Sequence, residues 1–238
     1  MLTVKYYLTL FVIIAKAVEL HKMGKNKITT VLFGLDGVVV DTESYYDNFW
    51  NRIARENGLR YDNFASVIKG MTIKSVIELY FMVSTPQEKQ AIRDACAEME
   101  KDIDYAKIII PGILSFIDYL KKNEYNIGLI TSSRNEKVRI GLEQLSMTET
   151  FDTIITSESI KKGKPDPMGY SLARINLGVQ SNECVVFEDT FTGIKAATYA
   201  FMRVVGVATT SSSDYLKDYT YGVVSDFSDL EQLKSFLT

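Results

Sequence analysis

The chain has 238 residues, of which 46% are hydrophobic and 24% are charged, and its formal net charge is −3. A chain of this length buries a sizeable core and forms one large domain or two smaller ones. The weak negative charge argues against recognition of nucleic acid by bulk electrostatics, so we expect no nucleic-acid partner.

Cysteine and histidine are scarce, which narrows the possible chemistry. Cys96 and Cys184 lie far apart and show no metal-type spacing, so we expect reduced thiols in a cytoplasmic protein. The only histidine, His21, lies near the N-terminus. Histidine general-base catalysis and zinc chemistry are therefore nearly excluded from the main body of the chain.

Residues 1–27 are predicted to form an N-terminal extension. The run from Tyr6 to Val18 is almost wholly apolar, but it is shorter than the roughly 20 residues that span a bilayer, and we expect no membrane partner. A secretory signal is one interpretation of this run, since a basic residue precedes it. An upstream extension with no role in the fold is favoured, because Met23 lies just before the first predicted strand.

The first predicted strand runs into a loop that is rich in acids. Val31 to Phe33 are aliphatic or aromatic, as expected of a buried parallel strand. The loop that follows contains Gly34, Asp36 and Asp41. Because ligands of open α/β sheets lie at the carboxyl ends of the strands, this loop is a candidate functional site.

Residues 44–106 are predicted to form an all-helical insert. Apolar residues recur at helical spacing between Tyr45 and Ile53, and further helices are expected over Ile73–Val83 and from Pro86 onward. No convincing strand occurs in this stretch. We therefore expect a helical cap above the ligand edge of a sheet.

From Pro111 onward, strands and helices alternate. The predicted strands are Ile127–Ile130, Thr153–Thr156, Cys184–Phe187, Arg203–Val207 and Gly222–Val224, and the predicted helices are Ile113–Lys122, Asn135–Leu145, Met168–Leu177 and Gly193–Ala200. Such alternation implies right-handed crossovers and a parallel sheet between two layers of helices. The predicted fold is α/β, with a Rossmann-like three-layer core of residues 28–43 and 107–238 that carries the helical insert as its cap.

Polar residues stand at three further strand ends. Thr131 and Ser132 follow one strand, where hydroxyl and backbone N–H groups can hold a phosphate. Lys164 follows another, and an ammonium group there offsets anionic charge. Glu188 and Asp189 end a third strand, and a hard cation such as Mg²⁺ takes oxygen ligands. Taken alone, Thr131-Ser132 is more typical of a helix-capping loop, Lys164-Pro165 is more typical of a solvated turn, and Glu188-Asp189 could cap the next helix, so the inference rests on their conjunction.

The chain resembles the haloacid dehalogenase superfamily, in its phosphatase and β-phosphoglucomutase branch. The residues that carry the resemblance are Asp36, Gly37, Val38, Asp41, Thr42 and Glu43 of the first motif, followed in the family's order by Thr131, Lys164-Pro165 and Glu188-Asp189. The resemblance implies a Rossmann-like core, a C1-type helical cap inserted after the first motif, and Mg²⁺ as cofactor. The chain departs from the family at Gly34, where the family carries its nucleophilic aspartate.

The resemblance also implies a mechanism, which depends on position 34. In the family the first aspartate attacks phosphorus to form an aspartyl-phosphate, and the aspartate two residues later, here Asp36, protonates the leaving oxygen and then activates water. The other implied roles are catalysis by Thr131 and Lys164, and Mg²⁺ binding by Asp36 (through its backbone carbonyl), Glu188 and Asp189. Because Gly34 has no side chain with which to attack, we expect a phosphatase that is inactive or crippled.

The expected substrate is a small phosphorylated metabolite, selected by the cap and the loops that face it. The candidate substrate-binding residues are Thr131, Ser132, Arg134, Asn135, Lys69 and Thr72. For each of the cap and loop candidates a solvated surface charge is the competing interpretation, and for Lys69 it is the favoured one. A monomer or a weak dimer is expected.

Two alternatives to a phosphatase stay open. One is a β-phosphoglucomutase-like sugar phosphate mutase, and the other is a non-catalytic relative that binds a phosphate ligand. The mutase has a histidine in the helix after the first motif and an arginine in the cap loop, where this chain has Tyr46 and Ile73. This difference favours the phosphatase.

Overall fold

The apolar strand that comes first in the sequence lies at the centre of the sheet. The computed structural model describes residues 27–238, so all but the last residue of the predicted N-terminal extension lies outside the described residues. The six strands are β1 (Thr30–Phe33), β2 (Asn126–Ile130), β3 (Thr153–Ile155), β4 (Cys184–Glu188), β5 (Arg203–Val207) and β6 (Gly222–Val224). They pair in parallel in the order β3-β2-β1-β4-β5-β6.

Both faces of the sheet are buried, which explains the continuous apolar run of β1. Val31 and Phe33 belong to the hydrophobic cluster on one face, and Leu32 belongs to the cluster on the other. Parallel sheets covered by helices on both sides show this pattern instead of polar–apolar alternation. The three-layer α/β core is therefore as predicted.

The helices fall into two groups. Those above the sheet are α1 (Glu43–Glu56), α2 (Phe64–Ile68), α3 (Ile73–Tyr80) and α4 (Pro86–Lys101), and those that flank the sheet are α5 (Ile113–Lys122), α6 (Asn135–Gln144), α7 (Met168–Leu177), α8 (Phe191–Tyr199), α9 (Ser213–Lys217) and α10 (Leu230–Ser235). Within residues 27–238, none of these helices is long and apolar enough to cross a bilayer.

The cap has its own hydrophobic cluster. Phe49, Trp50, Phe64 and Phe81 are buried in it, and their rings meet at 5.0–6.4 Å. Aromatic side chains bury a large apolar area each, so a few of them hold the short cap helices together.

Local capping chemistry sets most helix starts. At α4 the expected capping box forms, with Thr85 accepting from the N–H of Glu88 and the Glu88 side chain accepting from the N–H of Thr85. Thr72 caps α3 by accepting from the N–H of Ser75. Similarly, Thr190 accepts from the N–H of Gly193, so α8 begins at Phe191 and not at Gly193 as predicted.

The prediction was wrong for α3, which ends at Tyr80 and not at Val83. The N–H of Ser84 donates to the carbonyl of Phe81. This bond turns the chain toward Thr85, the N-cap residue of α4, and leaves Val83 fully exposed.

Several strand and helix ends also differ from the predictions by one residue, among them those of β3 and α6. Strand β3 stops at Ile155, because the Thr156 hydroxyl turns away to donate to Asn135. Helix α6 ends at Gln144, one residue before the predicted Leu145.

The chain enters and leaves the cap side by side. The N–H of Asp41 donates to the carbonyl of Ile108 at 2.7 Å, and the N–H of Ile110 donates to the carbonyl of Val39 at 2.9 Å. Val40 and Ile109 form an antiparallel bridge between these two crossings. The two connections between cap and core thus form one paired hinge.

Two glycines offer a matched test of how tightly the core is packed. Gly112 and Gly58 both have left-handed backbones, with φ of +79° and +70°. A Cβ atom at Gly112 would lie 2.1 Å from the carbonyl oxygen of Phe227, whereas a Cβ at Gly58 would meet no atom within 4 Å.

Gly58→Ala should lower the free energy of unfolding by about 1–2 kcal/mol, which is the strain of a left-handed backbone. Gly112→Ala should lower it by roughly 1–3 kcal/mol more, because the backbone of Phe227 must move. Urea denaturation of both variants measures the difference, and equal losses would contradict the close approach.

Candidate active site

A cavity of about 110 Å³ lies between the cap and the carboxyl edge of the sheet. Its core wall includes Asp36, Thr131, Ser132, Lys164 and Asp189, and its cap wall includes Glu43, Tyr46, Asp47, Trp50, Lys69 and Glu100. Most of the residues singled out from the sequence therefore meet at one place.

Strand order explains why these residues converge. Strand β1 pairs with β2 on one side and with β4 on the other, so the loops after these three strands lie next to one another. The N–H of Gly34 donates to the carbonyl of Phe187 at 3.0 Å, and a Cβ at Gly34 would lie 3.5 Å from Oε1 of Glu188. Position 34 thus adjoins the acidic end of β4.

Three candidate substrate-binding residues do not line the cavity. Arg134 is paired with Glu100 of the cap, Asn135 accepts a hydrogen bond from the hydroxyl of Thr156 at 2.6 Å, and Thr72 caps α3. Arg134 is thus the partner of a cavity-lining residue, Glu100, and the other two have structural partners.

The carboxylate of Asp36 is held by three donors. Its Oδ1 accepts from the hydroxyl of Thr42 and from Nζ of Lys137, both at 2.5 Å, and its Oδ2 accepts from the hydroxyl of Ser133 at 2.8 Å. Burial alone would raise the pKa of Asp36, but the charge and hydrogen bond of Lys137, with the two hydroxyls, hold that pKa below its ordinary value. Asp36 is therefore a fixed, ionised group at the cavity.

Lys137 is the residue that the sequence analysis missed. Its side chain is fully buried, and its Nζ lies over the ring of Tyr46, 4.4 Å from the centroid. It shares the buried face of α6 with Val138, Gly141 and Leu142. The sequence does place a lysine on the apolar face of the predicted helix. This position indicates a buried ion pair, because a buried lysine requires a paired acid.

At the end of β4 the carboxylate of Glu188 is also fully engaged. It pairs with Lys164, accepts from the hydroxyl of Tyr170 at 2.6 Å, and accepts from the hydroxyl of Thr190 at 3.3 Å. Gly193 makes room for it, since a Cβ there would lie 2.1 Å from Oε2 of Glu188. Lys164 is thus fixed in the cavity by a buried ion pair.

Asp189 is the acid with a free oxygen. Its Oδ2 is buried and makes no hydrogen bond of good geometry with the described residues, although the hydroxyl of Thr210 lies close enough to lower the pKa of Asp189 in part. A Cβ at Gly37, where φ is +72°, would lie 1.9 Å from this oxygen. Burial, with the neighbouring charge of Glu188, raises the pKa of Asp189 well above its ordinary value. A buried carboxylate of this kind calls for a counter-charge.

The donor set fits a divalent cation only weakly. Within residues 27–238 no group of three or more Asp, Glu, His or Cys side chains is placed to hold a metal ion. Asp189 offers a free oxygen, but Glu188 is bound to Lys164, Asp36 is bound to Lys137, and Gly34 offers none.

Cap and core are linked by buried polar contacts around the cavity. Glu100 accepts from the hydroxyl of Tyr46 at 2.7 Å and pairs with Arg134 at 2.5 Å. On the other side, the hydroxyl of Ser132 donates to the carbonyl of Gly70 at 2.8 Å, and that of Thr192 to the carbonyl of Lys69 at 3.1 Å. The cap is therefore closed over the core.

These features define a class of protein: a parallel α/β core with a helical cap and a polar cavity at the cap–core boundary. The chain belongs to the haloacid dehalogenase-like hydrolases, whose family model matches residues 31–207. The resemblance seen in the sequence and the predicted fold class are thereby confirmed.

Individual relatives agree with this assignment. The chain is 29% identical over 192 residues to validoxylamine A 7'-phosphate phosphatase of Streptomyces hygroscopicus subsp. limoneus, covering 79% of this chain and 89% of the relative. It is 31% identical over 188 residues to β-phosphoglucomutase of Bacillus subtilis, covering 74% and 82%. The crystal structure of β-phosphoglucomutase from Clostridium difficile superposes with a TM-score of 0.76 at 26% identity, covering 88% of this chain and 97% of that one.

Removal of Lys137 tests the buried ion pair. Lys137→Met should lower the free energy of unfolding at neutral pH by roughly 3 kcal/mol, because it leaves Asp36 buried without its cation. Arg139→Met on the exposed side of the same helix is the matched control, since the pair of Arg139 with Glu143 is half exposed and worth about 1 kcal/mol or less.

The difference in the free energy of unfolding between Lys137→Met and the parent protein should shrink as the pH falls. In the parent, the lowered pKa of Asp36 contributes stability that is present above its ordinary range near 4 and is lost on acidification through the native value. In the variant, burial raises this pKa, so protonation relieves the cost. Denaturation curves at several pH values measure the gap, and a gap independent of pH would contradict the assignment.

Proposed function

We propose that this protein binds a small phosphorylated metabolite in the cap–core cavity, and that it has the site of a phosphomonoester hydrolase without the nucleophile. The observation that carries the proposal is the position of Gly34, which directly follows the central strand, beside Glu188 and below a cavity that Asp36, Thr131 and Lys164 line. Hydroxyls, backbone N–H groups and Lys164 would receive the phosphate.

The step that this chain would lack is the nucleophilic attack on phosphorus. An aspartate at position 34 would attack phosphorus, form an acyl-phosphate bond and break the bond between phosphorus and the ester oxygen. Asp36 is ionised in this structure, so it would first have to take up a proton before it could supply one to that oxygen. Water would then hydrolyse the acyl-phosphate. With Gly34, water must attack phosphorus directly, without a carboxylate aligned for the reaction. Since alignment can be worth about 7–11 kcal/mol of barrier, turnover should be near background.

The site would accept the missing side chain. A Cβ at Gly34 would lie 3.0 Å from Cγ2 of Val38, so this buried side chain must give way by a few tenths of an ångström, and the Cβ would lie 3.5 Å from Oε1 of Glu188. Lys164, already paired with Glu188, would moderate the repulsion between the two carboxylates. The backbone at Gly34 is not left-handed, so an L-residue causes no strain there.

Mg²⁺ belongs to the proposal as a weakly held cofactor. Asp189 and the backbone carbonyl of Asp36 would hold it, with Glu188 nearby. When bound, the ion would offset the negative charge of the phosphate. The free Oδ2 of Asp189 supports this role.

A hydrolase is favoured over a mutase by the surroundings of Tyr46. Its hydroxyl is committed to Glu100, and its ring lies against Lys137. Burial, with the charges of Asp36 and Glu100, raises its pKa well above its ordinary value. Tyr46 is thus a structural residue of the cap–core contact, not a proton carrier.

The central test is Gly34→Asp. Assayed with Mg²⁺ on a panel of small phosphate esters, it should raise turnover by about three orders of magnitude or more over the parent protein, because it restores the covalent route. Gly34→Asn is the matched control, since it has the same size but no nucleophile, and it should stay at the parent level.

Two other results of these assays would contradict the proposal or favour an alternative to it. Equal rates for the parent and Gly34→Asp, in preparations free of other phosphatases, would show that position 34 is not that of the nucleophile. Binding of a phosphate ester by both, with turnover by neither, would favour the non-catalytic binding protein.

Calorimetry tests the metal. Mg²⁺ should bind Gly34→Asp at least about tenfold more tightly than the parent, since a further carboxylate joins the ligands. Asp189→Asn should lower the affinity of both proteins. Equal Mg²⁺ affinities of the parent and Gly34→Asp would show that position 34 does not touch the ion.

A further inference from the structure

The cap wall of the cavity carries an unmatched negative charge. Lys69 pairs with Glu43 and lies 3.7 Å from Oδ1 of Asp47, so one lysine serves two carboxylates. The third acid of this wall, Glu100, already has Arg134 as its partner. Asp47 is the most accessible of the three, with 39% of its side chain exposed.

The core wall does not supply the missing positive charge. Lys137 and Lys164 are committed to Asp36 and Glu188. Independently of the cap wall, Oδ2 of Asp189 is buried at the same cavity without a hydrogen-bond partner among the described residues. The free oxygen of Asp189 is the place proposed for Mg²⁺, so the wall that stays short of positive charge is the cap wall, and a purely anionic ligand would not provide that charge.

Trp50 adds a surface suited to a cation. Trp50 is 5% exposed and lines the cavity with that part of its side chain, while Phe49, with ring centroids 5.0 Å apart, and Phe64, at 6.4 Å, pack edge-on against it. The neighbouring ring of Tyr46 already faces Lys137, whereas no lysine or arginine of residues 27–238 lies over Trp50. Tryptophan is the best aromatic partner for an ammonium group, and the carboxylate of Asp47, one helical turn away, would attract the same group by its charge.

We propose that the ligand is a small phosphate ester that also carries an amine, with its phosphate on the core wall and its ammonium group between Asp47 and Trp50. The inference rests on the proposed function and names the substrate class of the same site. The cavity is small, at about 110 Å³, which favours a short ester over a long one.

Two esters that differ in one group make the test. Titrations of the full chain with 2-aminoethyl phosphate and 2-hydroxyethyl phosphate, in Mg²⁺, can be followed by calorimetry and by fluorescence of Trp50, the single tryptophan. The amine should bind about tenfold more tightly than the alcohol. Asp47→Asn should reduce this ratio to about twofold or less, whereas Asp94→Asn, on the exposed side of the cap, should leave it unchanged.

The outcomes separate the two proposals. Equal affinities of the parent for the two esters would overturn the amine inference and leave the phosphate site intact. A preference for the amine that survives Asp47→Asn would overturn the assigned position of the ammonium group. If neither ester nor inorganic phosphate binds, the proposed function fails, and the inference fails with it.

Discussion

The parallel pairing of β1 with β2 and β4 is the constraint on which the site depends. Parallel neighbours end at the same edge, so the loops after three separate strands must meet there, although more than 150 residues separate Gly34 from Glu188 along the chain. Burial on both faces fixes the register of β1, because a shift by one residue would exchange the sides of Leu32 and Phe33. The geometry of the cavity therefore follows from core packing, and the loops only supply its chemistry.

Buried charges around the cavity come in pairs drawn from different elements. Asp36 follows β1 and Lys137 is on α6, while Glu188 ends β4 and Lys164 follows β3. Each pair costs desolvation but fixes the relative position of two elements, since separating the partners would leave a buried charge. This explains how the arrangement persists with Gly34 in place. Glycine removes a carboxylate from a crowded acidic site, and no retained pair depends on it.

The sequence predicted the parts that rest on regular patterns. Strand β1, the alternation after Pro111 and the capping box at Thr85 were all readable, because burial and capping leave fixed spacings. Helices α2, α9 and α10 were missed, as five or six residues are too few for a helical period to show.

Contacts across the fold were harder to predict. Lys137 binds Asp36, which lies 101 positions away in the sequence. Arg134 binds Glu100 of the cap and not a ligand. A single sequence gives the residue types of such pairs but not which partners meet. The positions of Thr131, Ser132, Lys164 and Asp189 could be predicted because each follows a strand.

The paired hinge allows the cap to vary without disturbing the core. Because Asp41 bonds to Ile108 and Ile110 to Val39, the segment between them begins and ends at the same point of the core. An inserted domain whose two ends lie side by side does not force the core residues on either side of it apart. The length and shape of the cap can therefore vary without altering the sheet. The chemistry of the strand ends and the selection of the ligand thus reside in physically separable modules, and one can be exchanged while the other is kept.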